Sequence, residues 1–122
     1  MHDYLLIYQN GDPDWHETTT PEERAATMQA WGAWFQQLEG SGHLRNPGAA
    51  LHPEGTALTK SADGFATDAS MAEVKDLVGG YSVVAAPSLE EATELAQGCP
   101  FLDNNAAGRI LVRRIMTAEE YE

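Results

Sequence analysis

Proton-transfer chemistry near neutral pH points first to histidine. The chain has four, at positions 2, 16, 43 and 52. His43 follows the helix-stopping run Gly40-Ser41-Gly42 and opens an extended segment, where it can serve as a general base. Its plainer role is a helix-exit residue at the negative end of a helix dipole. Asp68 can orient such a base or hold a polar ligand group, although a carboxylate there more often closes a turn or caps a helix. His43 and Asp68 are therefore the candidate catalytic residues. The candidate ligand-binding residues are His16, Asp68, Lys75 and Tyr81. His16 stands beside Trp15 in a loop that can act as a lid. Lys75 can meet an anionic ligand group, against its ordinary place on a solvated helix face. Tyr81 and Tyr8 can turn their phenols into a pocket, although strand aromatics more often pack in a core or against a second subunit. Trp31 and Trp34 read as packing residues rather than stacking platforms.

Other chemistries find little footing. The four histidines and Cys99 show neither His-x-His nor Cys-x-x-Cys spacing, so no metal site is expected. Cys99 lies between Gly98 and Pro100 at a helix exit, where the dipole opposes a thiolate, and it reads as structural. There is no Gly-x-Gly-x-x-Gly, Walker or Gly-x-Ser-x-Gly pattern, and Gly79-Gly80 precedes a strand rather than a helix. No cofactor is expected.

The elements that must position these residues are well marked. Tyr4–Tyr8 is a strand apolar on both faces, with Tyr4, Leu6 and Tyr8 on one and Leu5 and Ile7 on the other. Asn10–Asp14 is turn chemistry. Thr20-Pro21-Glu22-Glu23 starts a helix with an N-cap, Pro at N1 and Glu at N3. Met28, Trp31, Phe35 and Leu38 form its apolar stripe, and Gly32 within it suggests close approach to another backbone. A second extended segment runs from His43, is interrupted by Asn46-Pro47-Gly48 and can resume over Ala49-Ala50-Leu51. Residues 56–60 and 65–67 read as a hairpin about Ala62-Asp63-Gly64. Ser70 and Glu73 form a capping box that opens a short helix to about Leu77. Gly79-Gly80 breaks the chain before the strand Tyr81–Ala86. Ser88 and Glu91 form a further capping box, and Gly98 with Pro100 ends that helix. Residues 110–116 are the last strand, and 117–122 a frayed tail.

The order strand, helix, strand, strand, helix, strand is that of a split βαβ, ferredoxin-like α+β fold, in one domain over 1–116 with the tail at 117–122. Two long helices cover one face of an antiparallel sheet. The opposite face is still apolar, which predicts a homodimer with sheet facing sheet. The net charge of −12 argues against a nucleic-acid surface and against anionic membranes. The opening MHDYLLIYQN has five consecutive apolar-type residues and no basic flank, so neither signal peptide nor membrane span is expected, and the cytoplasm is the expected location.

The stretches YLLIY, TPEERAATMQAW, TDASMAEVKDLVGGYSVVAAPSLEEATELAQGCP and ILVRRIM, in this order, together resemble the YCII-related family and, within it, the DGPF-domain branch. The resemblance implies a ferredoxin-like unit that dimerises through its sheets as a dimeric α+β barrel. Of the Asp-Gly-Pro-Phe motif that names the branch, this chain keeps Asp68 and has Ala69-Ser70-Met71 after it. Ala72, Glu73, Lys75, Gly79 and Gly80 match the branch downstream. Some YCII-like members are thought to be lyases or dehydrochlorinases with a His–Asp pair whose His lies in the first helix. Residues 21–38 here contain no His, so that pair does not carry over. The expectation is a small dimeric protein that binds an organic molecule in a cleft between the sheet, the first helix and residues 68–78. The alternatives are a lyase-type enzyme with His43 or His16 as base and Asp68 as orienter, and a non-catalytic regulatory partner linked to sigma-factor systems.

Overall fold

The computed structural model describes residues 1–69 and 77–122. In chain order its elements are β1 (His2–Gln9), α1 (Trp15–Thr18), α2 (Pro21–Gly40), β2 (Leu44–Ala50), β3 (Ala57–Ser61), β4 (Gly64–Asp68), β5 (Val78–Ala86), α3 (Leu89–Ala96), α4 (Phe101–Asn104), β6 (Arg109–Arg114) and α5 (Ala118–Tyr121). The expected short helix over residues 70–77 falls almost wholly outside the described residues.

β1 carries apolar side chains on both faces and accordingly lies inside the sheet, whose order is β2-β5-β1-β6 with every neighbouring pair antiparallel. This is the split βαβ arrangement of a ferredoxin-like α+β fold. Tyr4, Leu6 and Tyr8 point towards the helices and are buried with Val84, Trp34, Leu38, Ala92 and Ala96 in one core cluster. Leu5 and Ile7 alternate to the other face, where they are half-buried.

α2 starts as its sequence dictates. Thr20 Oγ1 accepts from Glu23 N, the Glu23 carboxylate accepts from Thr20 N, and Pro21 occupies the first turn. The helix ends at Ser41, followed by Gly42 at φ +79°, a left-handed residue that suits glycine. Trp34 Nε1 donates to the Leu95 carbonyl over 3.2 Å and ties α2 to α3. Gly32 has open space around it, so close backbone approach does not explain it.

Three glycine expectations change for steric reasons. Gly79-Gly80 does not break the chain before the strand; both residues lie within β5. A Cβ on Gly80 would meet the Ala49 carbonyl at 2.8 Å, so the glycine lets β2 and β5 approach. Gly98 is not a left-handed cap. Its hydrogen occupies the place where a Cβ would press on the Trp34 indole at 3.2 Å. Gly48 has φ +78°, and its Cβ would fall 1.7 Å from the Tyr81 carbonyl oxygen. It allows β2 to run on through Asn46-Pro47-Gly48 as one bulged edge strand with two register shifts, where the sequence suggested an interruption.

β3 and β4 form the expected hairpin, but as a separate two-stranded sheet, with Leu58 and Phe65 well exposed on it. The tail is more ordered than expected. Thr117 and Glu120 close a capping box on α5, and Arg114 makes a bidentate ion pair with Glu120. Among the described residues no helix is long and apolar enough to cross a membrane.

Candidate functional site

A cavity of about 400 Å³ opens where the end of β1 meets the start of β5. Tyr8 and Ser82 form its floor, beside the main chain of the β2 bulge at Pro47 and Gly48. Thr27, Met28, Trp31 and Phe35 of α2 form one wall. Gly11, Asp12 and Trp15 face it, with Phe101, Asn104 and Asn105 from α4 and its exit. Helical spacing accounts for the first wall, since positions 27, 28, 31 and 35 share one face of α2.

The aromatic rings brace one another. Tyr8 meets Trp31 edge-on with centroids 5.3 Å apart, and it lies at 5.3 Å from Phe101 at a shallower angle. Phe35 follows Trp31 at 5.7 Å. Gly108 makes room for this corner, because a Cβ there would sit 2.9 Å from both the Phe101 ring and Asn105.

The facing loop is fastened at several points. Asp12 N donates to Asn105 Oδ1 over 2.6 Å, and Asn105 Nδ2 donates to the Phe101 carbonyl over 2.9 Å. Asp14 N donates to Asp12 Oδ1 over 2.9 Å, an Asx turn that begins α1. Arg24 of α2 donates to the carbonyls of His16 and Thr19 over 2.9 and 2.5 Å. Asx chemistry and a guanidinium at carbonyl oxygens thus hold Trp15 against the cavity, where the sequence suggested a mobile lid.

The floor is a directional chain. Tyr8 Oη donates to Ser82 Oγ over 2.7 Å, and Ser82 Oγ donates to the Pro47 carbonyl over 2.7 Å. Burial raises the Tyr8 hydroxyl well above the ordinary phenol value, with the bond to Ser82 only partly offsetting it. Burial likewise pushes the neighbouring Cys99 thiol up to about 11. Both groups stay protonated at neutral pH. A carbonyl cannot take the Ser82 proton, so this hydroxyl has no base to activate it. Among the described residues lining the cavity, Asp12 is the single carboxylate, and there is no Lys, Arg or His.

The residues singled out from the sequence do not converge here. His43 sits at the far end of the sheet, where its Nδ1 lies 2.8 Å from the Ala85 carbonyl. That carbonyl only accepts, so Nδ1 carries the proton and pins the start of β2 to β5. Asp68 ends β4 in the other sheet, pairs with Ala57, and its carbonyl accepts from Thr56 Oγ1 over 3.1 Å. Neither His43 nor Asp68 is among the described cavity-lining residues, and they are not brought together. His16 is exposed on α1 with its carbonyl held by Arg24, while its neighbour Trp15 lines the cavity. Tyr81 lines the cavity and pairs with Ile7, on the strand parity opposite to Ser82. Lys75 lies outside the described residues. Among the described residues no three His, Cys, Asp or Glu side chains gather as metal ligands.

Sequence reasoning missed Phe101, Asn104, Asn105 and Ser82. A Pro100 helix stop gives no hint of a further turn behind it, and Ser82 looks like one more strand residue. Asn46-Pro47-Gly48 was visible as an interruption, and a bulge beside a site is a common outcome.

A ferredoxin-like sheet with two helices on one face and an aromatic cavity at one end defines a small α+β protein with a ligand-sized hollow. The chain belongs to the YCII-related domain family, whose family model matches residues 4–118. No curated protein matches the chain.

Proposed function

We propose that this protein binds a small organic molecule in the aromatic cavity and does not convert it. The observation that carries this reading is the floor: the hydroxyl pair Tyr8–Ser82 ends on the Pro47 carbonyl, so among the described residues the cavity has shape and aromatic surface but no activated nucleophile. A volume of about 400 Å³ suits a ligand of one or two rings. The test is a small-molecule screen by thermal shift and by tryptophan fluorescence, since Trp15 and Trp31 line the cavity. Ligands should stabilise the protein and be recovered unchanged by mass spectrometry. Recovery of a chemically altered ligand would remove the non-catalytic reading, and a screen without a stabilising member would remove the binding reading.

The working form we propose is a homodimer with sheet facing sheet. Its support is the half-buried row formed by Leu5, Ile7, Val83 and Leu111, which the strand register sets side by side on the face away from the helices. Sedimentation should give a dimer for the native chain and a monomer for Val83→Glu. A native chain that sediments as a monomer at micromolar concentration would sink this part of the proposal.

A further inference from the structure

We infer that the cavity selects an ammonium ligand, an aromatic or alkyl amine carrying positive charge, over carboxylates and over neutral molecules of the same shape. The inference rests on the reading of the cavity as a binding site and specifies the chemistry of its occupant.

Three observations point the same way. The described lining contains six aromatic residues, Tyr8, Trp15, Trp31, Phe35, Tyr81 and Phe101. Ring faces attract a desolvated cation and offer an anion nothing. The charges of the described lining are on one side: Asp12 is its single carboxylate, and no described lining residue is a Lys, Arg or His. One Asp12 oxygen accepts from Asp14 N at 2.9 Å, and a carboxylate has capacity for further donors, which an ammonium supplies. The whole chain carries a net charge of −12, so its field draws cations towards the mouth and repels anions.

The floor agrees with this polarity. The Tyr8 O–H is engaged by Ser82 and the Ser82 O–H by Pro47, so both protons point into the protein. What these groups retain is lone-pair capacity, which suits a donor ligand rather than an acceptor. Among the described residues of this floor, Tyr8 and Ser82, a carboxylate entering the cavity meets neither a cation nor an uncommitted hydroxyl proton.

The test uses the full chain and three probes that share one ring system: naphthylmethylammonium, naphthylmethanol and naphthoate. Tryptophan fluorescence and NMR shift titrations at low salt measure their affinities. The ammonium should bind about tenfold more tightly than the alcohol, a difference of the size of one partly desolvated cation–aromatic and carboxylate contact. Its affinity should fall as salt rises, while that of the alcohol stays level. Asp12→Asn keeps an oxygen for Asp14 N and removes the charge, and it should bring the ammonium down to the alcohol. Equal or tighter binding of the alcohol or of naphthoate, with the cavity residues shifting, overturns the ammonium preference and leaves the binding site standing. Ammonium binding unchanged in Asp12→Asn overturns it as well. Absence of all three probes from the cavity overturns the inference and the binding reading together.

Discussion

The Tyr8 hydroxyl reaches Ser82 Oγ diagonally across two neighbouring strands, at 2.7 Å. Tyr8 stands opposite Gly80, and Ser82 stands opposite Leu6. The ring can lean along the sheet because the residue across from it has no side chain. The same pair closes the floor of the cavity and, through Pro47, anchors the bulge of β2.

Ser82→Ala should cost more than Tyr8→Phe. The first leaves a buried phenol donor and the Pro47 carbonyl without their partner, about 1–3 kcal/mol. The second removes the donor and leaves Ser82 bonded to Pro47, about 1 kcal/mol. Chemical denaturation of the two variants checks the order, and a larger loss in Tyr8→Phe would contradict the direction of the chain.

Gly48→Ala and Gly32→Ala should move stability in opposite directions. At Gly48 the backbone is left-handed and a Cβ would overlap the Tyr81 carbonyl, so the β2 bulge cannot form as it stands; a loss of more than about 3 kcal/mol is expected. At Gly32 the helix is open on that side, and alanine should stabilise by roughly 0.5–1 kcal/mol. Melting temperatures of the two variants read this directly.

These two positions also mark how far the sequence could be read. Strand alternation at Tyr4–Tyr8, the capping box at Thr20 and the N-cap at Ser88 are local signals, and each is met by a local bond or face. The need for glycine at 48, 80 and 98 is not local. It comes from the Tyr81 carbonyl, the Ala49 carbonyl and the Trp34 ring, all distant in sequence. The site follows the same divide. Trp31 and Phe35 share a helix face that periodicity reveals, whereas Phe101, Asn105 and Ser82 become cavity residues only when three separate strands and α4 come together.

Alkali should weaken the fold. Burial raises the Cys99 thiol from 9.0 to about 11, and it raises the Tyr8 phenol also. The folded state favours the protonated forms, so their contribution is complete below about pH 9. For Cys99 it is lost as pH rises towards about 11, with Tyr8 adding to the decline above that. Urea midpoints measured from pH 7 to pH 11 should fall over this upper range. Alkylation of Cys99 should be slow until the protein unfolds, since the thiol is buried.

Strong acid should loosen the C-terminus. The hydrogen bond and charge of Arg114 hold the Glu120 carboxyl down at about 2 from 4.5. Its contribution is present above pH 4.5 and is lost as pH falls through about 2. Backbone amide exchange in residues 118–121 should quicken there while the sheet stays protected.

Arg24→Ala should loosen the wall that carries Trp15. It removes a guanidinium that holds the carbonyls of His16 and Thr19, on a side chain that adds little to the central core. Global stability should fall by about 1 kcal/mol or less, whereas amide exchange across residues 15–19 should rise more than tenfold, as expected for a local opening. Equal protection in both proteins would show that Asn105 and the Asx turn suffice.

The bulged path of β2 has a consequence for how this acidic chain behaves in a crowded solution. Open sheet edges invite other chains to add as further strands. At one edge of this sheet, β2 offers no regular template: Pro47 lacks a donor, and two register shifts bend the ladder. At the other edge, β6 carries Arg109, Arg113 and Arg114, three of the seven basic residues in the chain. Both flanks are thus poor seeds for strand addition, one by shape and one by charge, which works against fibre growth from the sides.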